Sequence, residues 1–135
     1  MKEITLKAVI ENIPQVTAFV DEQLEAIECP MKAQLQLDVA IDELFCNIAS
    51  YAYGGGEGEA TVRFAFDAAA RRVSLDFIDR GMPFNPLTSK EPDISLSAEE
   101  RSVGGLGIFL VKKTMDRIAY RYEAGQNILT IEKQI

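Results

Sequence analysis

Two pairs of alternating segments, each folded back by a short polar turn, restrict what this chain can fold into more than any other feature. Val62, Phe64 and Phe66 alternate with Thr61, Arg63 and Ala65; past a turn at Asp67 to Arg71, Val73, Leu75 and Phe77 alternate with Ser74 and Asp76. Residues two apart share a face of a strand, so this is a hairpin with one apolar side. Ile118, Tyr120 and Tyr122, a turn at Gly125-Gln126-Asn127, then Leu129 and Ile131 predict a second hairpin. Hairpins pair antiparallel, and a sheet apolar on one side needs a layer of helices to cover it.

The rest of the chain supplies that layer. Ile4, Leu6, Ala8 and Ile10 alternate as a first strand, and Asn12-Ile13-Pro14 offers an N-cap and an early proline for a helix running to about Glu28. Its apolar positions Val16, Phe19, Val20, Leu24 and Ile27 recur at helical steps, and Pro30 separates it from a second helix, Met31 to about Tyr53, closed by Gly54-Gly55-Gly56. A third helix is expected from Leu106 to Met115. Between the hairpins, residues 80 to about 103 hold Pro83, Pro86 and Pro92 with little periodicity, a connection long enough to be a lid, with a capping-box turn at Ser97-Ala98-Glu99-Glu100. The order β-α-α-β-β-lid-α-β-β predicts an α+β fold: a two-layer sandwich with a mixed, mostly antiparallel sheet and helices on one face. Residues 1–135 are expected to form one domain.

Composition removes several kinds of chemistry. The chain has 14 basic and 21 acidic residues and a net charge of −7, which repels nucleic acid and anionic lipid. No apolar run approaches the ~20 residues that cross a bilayer, and Met1-Lys2-Glu3-Ile4-Thr5 alternates like a strand rather than a signal peptide, so a cytoplasmic protein is expected. Cys29 and Cys46 lack the close spacing of a zinc site or disulfide scaffold. Histidine is absent, which excludes Ser-His-Asp and Cys-His catalysis and leaves carboxylates to handle protons.

Three short motifs carry the remaining chemistry. In Asp42-Glu43-Leu44-Phe45-Cys46-Asn47, Glu43 and Asn47 stand one helical turn apart on one face, with Asp42 and Cys46 on the neighbouring stripe. A carboxylate beside a carboxamide suits a hydrated magnesium ion, with Asn47 as the metal ligand and Glu43 as a general base. In Asp79-Arg80-Gly81-Met82-Pro83-Phe84, Asp79 shares strand parity with Phe77 and points toward the helices, where its carboxylate needs a donor such as the exocyclic amino group of adenine. Gly81 admits close backbone approach to the base. Gly104-Gly105-Leu106-Gly107 leads into a helix, whose first N–H groups form an anion cradle. A solvated acidic helix face, an Asp turn and a glycine hinge explain each motif alone; in combination the three read as an ATP site.

These motifs resemble the N, G1 and G2 boxes of the GHKL ATPase superfamily, which includes gyrase-type ATPases and sensor histidine kinases. The longer stretches Asp42 to Tyr53, Asp79 to Pro86 and Gly104 to Val111 resemble, more narrowly, the bacterial anti-sigma factor serine/threonine kinases. The resemblance covers nearly the whole chain. It implies a Bergerat-fold domain that binds ATP and magnesium, sequesters a sigma factor and phosphorylates a serine on a small anti-anti-sigma antagonist of the STAS type. By motif position it makes Glu43 the base, Asn47 the magnesium ligand and Asp79 the adenine contact. Gly81, Gly104, Gly105, Leu106 and Gly107 become the nucleotide-loop residues, with Arg101 in the lid as a phosphate contact. Asn127 replaces a usual threonine and can still hydrogen-bond through water to the base; Tyr51 stands where histidine is usual and Asn85 where aspartate is common. The resemblance also makes a homodimer possible through the first strand and helix. A non-catalytic module that binds nucleotide and a regulator is the competing reading.

Overall fold

The computed structural model describes residues 1–88 and 105–135. Five strands, β1 (Lys2–Lys7), β2 (Glu59–Asp67), β3 (Arg72–Asp79), β4 (Arg117–Glu123) and β5 (Gln126–Gln134), form one sheet in the order β1-β2-β3-β5-β4. Every pairing is antiparallel, so among the described residues the sheet has no parallel component, unlike the mixed sheet expected. Both hairpins are present. The connection from β3 to β4 is the one that carries the chain through the third helix to the sheet's far edge.

Helices α1 (Ile13–Ala26), α2 (Met31–Asn47) and α3 (Gly105–Thr114) supply the second layer. Val16, Val20 and Leu24 of α1, with Leu37, Ile41, Leu44 and Phe45 of α2, are buried in one cluster with Val62, Val73, Leu75, Phe77 and Ile131 from the sheet. Each fully buried Leu, Val or Phe contributes about 1.5–3 kcal/mol relative to exposure, so this cluster is the main driving force for the α/β sandwich. The opposite face of the sheet carries polar pairs, among them Thr5 with Thr61, Arg63 with Glu3, and Thr130 with Asp76. That is the more polar face that alternation along β2 and β3 produces, interrupted by the buried pair Ile78 and Ile128.

Several local expectations shift. Asn12 does not cap α1: a 3-10 turn at Ile10–Asn12 leads directly into the helix, Asn12 has helical backbone angles, and its side chain donates to the Lys7 carbonyl at 2.9 Å. The first strand ends at Lys7 for the same reason, because Ala8 to Asn12 turn off the sheet edge. Regular α2 stops at Asn47, and residues Ile48–Ala52 continue as a π turn before Gly54 and Gly55 close the segment in the left-handed region. The last turn sits one position earlier than expected. Ala124 and Gly125 take φ of 54° and 77°, the paired left-handed angles of a two-residue type I′ turn, and Gln126 and Asn127 are therefore strand residues. The Ser97–Glu100 capping box, Arg101 and Gly104 lie outside the described residues.

One carboxyl pair links α1 to α2 away from these motifs. Among the described residues Asp21 and Asp38 each keep a buried Oδ1 without a hydrogen-bond partner, and burial first, then the neighbouring Asp21 carboxyl, push Asp38 up to about 7. A carboxyl with a raised folded pKa favours the native state fully below its unfolded value and loses that contribution as pH climbs through the folded one. Stability should therefore decline from about pH 4 toward and above 7 on account of Asp38. Asp38→Asn, which is neutral throughout and keeps an N–H donor for Asp21, is expected to exceed the parent protein in denaturation midpoint at pH 8 and to lose that advantage as the pH is lowered to about 4. Urea melts of the two proteins at both pH values check this.

Candidate nucleotide-binding site

Between the C-terminal half of α2 and the ends of β3 and β5 lies a narrow cleft of about 40 Å³. Its walls are largely apolar, from Leu44, Ile48, Ala52, Phe77, Phe84, Pro86 and Leu129, with Asn47, Asp79, Tyr120 and Asn127 as polar groups. Its composition, a hydrophobic slot with a few oriented polar atoms, is that of small-molecule sites. A planar heteroaromatic base fits it in kind.

Strand register builds the floor of the cleft. Asp79 and Asn127 are direct partners across β3 and β5, and both side chains are buried, at 6% and 5% exposure. One carboxylate oxygen of Asp79, Oδ1, accepts from the Gly81 N–H at 2.9 Å and from the Asn127 amide at 2.9 Å. Asn127 also donates to the Met82 carbonyl at 2.9 Å, and its own Oδ1 accepts from the Phe84 N–H at 3.1 Å and from the Tyr120 hydroxyl. Burial raises the Tyr120 phenol above its ordinary value, the Phe84 backbone opposes the shift, and Asp79 and Tyr122 add to it; the hydroxyl thus stays protonated as a donor. Asn127 fastens residues 81–84 to the sheet and holds Asp79 in a fixed orientation.

Gly81 is required by contact rather than by its backbone angles. A Cβ there would overlap the carbonyl oxygen of Ala52, the same oxygen that accepts from the Met82 N–H at 2.9 Å. The π turn brings Ala52 to this position, so the end of α2 and the Asp79 loop form one wall. Tyr53 continues the seam: its hydroxyl donates to the Glu59 carbonyl at 2.5 Å and accepts from the Arg80 N–H at 3.0 Å.

At the other end, Asn47 donates through Nδ2 to Oε1 of Glu43 at 3.2 Å. With its amide nitrogen directed to Glu43, Asn47 presents its carbonyl oxygen as the atom suited to a hard cation. No group of three or more acidic, histidine or cysteine side chains forms a metal cage among the described residues. Magnesium takes few protein ligands and keeps water and phosphate oxygens, so a single carboxamide oxygen at the mouth of an apolar cleft fits its donor preference. Gly107, in the first turn of α3, lies flush against the Glu43 carboxylate, where a Cβ would collide with both oxygens. Burial raises the Glu43 carboxyl above its ordinary value; the Asn47 hydrogen bond opposes this and the charge of Asp42 adds to it.

The structure thus brings together Glu43, Asn47 and Gly107 at one end, and Asp79, Gly81 and Asn127 at the other; Gly105 and Leu106 belong to the first turn of α3. Phe84, Tyr120 and the aliphatic wall were not singled out by sequence reasoning, since apolar residues lining a cleft follow the same periodicity as those filling a core. Only the inward parity of Tyr120, shared with Ile118 and Tyr122, hinted at its place.

The family model for the histidine kinase-like ATPase domain matches residues 6–133. The chain is 28% identical over 100 residues to the serine/threonine-protein kinase BtrW of Bordetella bronchiseptica, covering 74% of this chain and 70% of that protein. It is 33% identical over 110 residues to the serine-protein kinase RsbW of Listeria monocytogenes, and 32% identical over 110 residues to its counterpart in Listeria innocua. Each of these alignments spans 73% of this chain and 68% of the relative.

Proposed function

The chain belongs to the histidine kinase-like ATPase family, within the branch of bacterial anti-sigma serine/threonine kinases, and on that premise we propose that it is an ATP-dependent protein serine kinase. Its substrate in this reading is a serine of an anti-anti-sigma antagonist of the STAS type, and its second partner a sigma factor that it sequesters. The observation that carries the reading is the placement of a half-buried Glu43, bonded by Asn47 and resting on Gly107, at one end of a cleft that Asp79 and Asn127 close at the other. No helix among the described residues is long and apolar enough to cross a membrane.

Each residue has a task that its surroundings support. Asp79, oriented by Asn127 and the Gly81 N–H, accepts the exocyclic amino proton of adenine. Backbone N–H groups of Gly105 to Gly107 at the start of α3 face the phosphates, where the positive end of the helix favours negative charge. Asn47 holds a magnesium ion through its carbonyl oxygen; the ion supplies charge neutralisation of the phosphates. Glu43 takes the proton of the attacking serine hydroxyl as its oxygen bonds to the γ-phosphorus and the bond to the bridging oxygen of the departing ADP breaks. Arg101 and Gly104 complete the phosphate contacts in this reading. A homodimer through β1 and α1 belongs to it too, since among the described residues β1 is an edge strand with an unpaired side.

Incubation with γ-labelled ATP, magnesium and candidate STAS-type domains tests the assignment. Label on a serine of one such domain is expected; saturable ATP binding without any labelled serine would replace the kinase reading with the non-catalytic nucleotide-dependent module.

A further inference from the structure

The cleft has one wall whose position the groups above do not account for. Phe84 lines it while remaining 40% exposed, and its backbone is fastened by the bond from its N–H to Asn127. Its ring is met by Tyr51, 39% exposed, with the centroids 5.6 Å apart and the planes tilted by 35°. Tyr51 projects from the π turn that ends α2, the turn whose Ala52 carbonyl holds Met82 and excludes any side chain at Gly81. Both ends of the contact are therefore set on anchored backbone. Two large aromatic rings kept this exposed gain less from burial than from contact with each other and with whatever enters the cleft.

We propose that Tyr51 is a positioning residue for the nucleotide: its ring holds the Phe84 ring as the outer wall of the base cleft, so that a bound base is covered on its open side. The inference rests on the nucleotide-binding reading of the cleft and assigns the determinant of its mouth. The ring acts, and the hydroxyl does not, because the contact is between ring faces and edges. Without Tyr51, Phe84 keeps its backbone place yet its side chain rotates away, and the base leaves sooner.

The test uses the full chain with magnesium-ATP for affinity and a fluorescent ADP for release rates. Tyr51→Ala should raise Kd about 3- to 10-fold, mainly through faster release, the range expected for losing one aromatic pair. Tyr51→Phe should stay within about twofold of the parent, rescuing the ring contact. In the double-mutant cycle, Tyr51→Ala should cost little once Phe84→Ala is present, because the two act as a unit. Unchanged affinity and release in Tyr51→Ala, or effects of the two substitutions that simply add, would overturn the proposal. A fall in affinity for Tyr51→Phe equal to that for Tyr51→Ala would overturn the role of the ring. Melting of the nucleotide-free variants separates a change in the cleft from a change in the fold. Failure of the parent protein to bind ATP would remove the nucleotide reading and this inference together, whereas parent binding with an indifferent Tyr51→Ala removes this inference alone.

Discussion

Glu43→Gln is expected to slow transfer of phosphate to the antagonist serine by about 10²- to 10⁴-fold, the usual contribution of a positioned general base, with ATP affinity within a few-fold of the parent. Glutamine is isosteric, its carbonyl oxygen still accepts the Asn47 amide, and it still fits the space left by Gly107. Only proton affinity is lost. Single-turnover transfer beside equilibrium binding of ATP distinguishes the two effects, and an unchanged transfer rate would strike Glu43 from the mechanism.

The raised pKa of Glu43 gives this variant a second signature. As a base Glu43 must be ionised, so the parent's transfer rate should fall as pH drops through a value above the ordinary 4.5 of a glutamate, while residual activity of Glu43→Gln stays flat there. Stability moves the other way. Burial makes the charged carboxylate unfavourable in the fold, so the native state loses stability as pH rises from 4.5 through the folded pKa. The glutamine variant should therefore be the more stable protein at pH 7, with the difference vanishing below about 4.5. A site that costs stability and supplies activity is a common feature of functional clefts.

Gly81→Ala should produce the other large effect, through packing rather than proton chemistry. The added methyl would sit inside the contact distance of the Ala52 carbonyl oxygen, carbon and Cβ, and most of those atoms are backbone held at the end of α2. The loop must retreat, stretching both the Met82 N–H bond to Ala52 and the Gly81 N–H bond to Asp79. Overpacking of this kind costs about 1–3 kcal/mol, and a misplaced Asp79 should weaken ATP binding by about tenfold or more, as the loss of a hydrogen bond to a charged group does. Thermal melts with and without magnesium-ATP measure both. A variant with the parent's melting temperature and affinity would show that the loop tolerates a side chain against α2. Asp79→Asn makes a useful companion, because it retains an oxygen for Gly81 and Asn127 yet replaces one acceptor by a donor; it should lose ATP affinity with little loss of stability.

Much of this architecture can be read from residue spacing. Alternation in Val62 to Phe66 and Val73 to Phe77 fixes a hairpin and tells which side is apolar, and parity then aims Asp79 at the helices, where it is found buried. Helical spacing sets Glu43 and Asn47 one turn apart, and their hydrogen bond follows. Both inferences rest on local geometry, in which a period of two or 3.6 residues determines where each side chain points.

What spacing leaves open depends on residues distant in sequence. The role of Asn127 arises because register places it opposite Asp79, 48 positions earlier, and because the turn before it falls at Ala124-Gly125 rather than across Asn127 itself. Neither the π turn at Ile48–Ala52 nor the need for glycine at 107 has a local sign: the first widens a helix toward the Gly81 loop, the second makes room for a carboxylate from another helix. The sequence by itself determined the helices, the hairpins and the orientation of Glu43, Asn47 and Asp79, because each follows from the repeat of a single element. Only the tertiary structure decided which of these groups meet, which wall closes the cleft and why Tyr51 stands beside it, because contacts between elements depend on register and packing that no single element encodes.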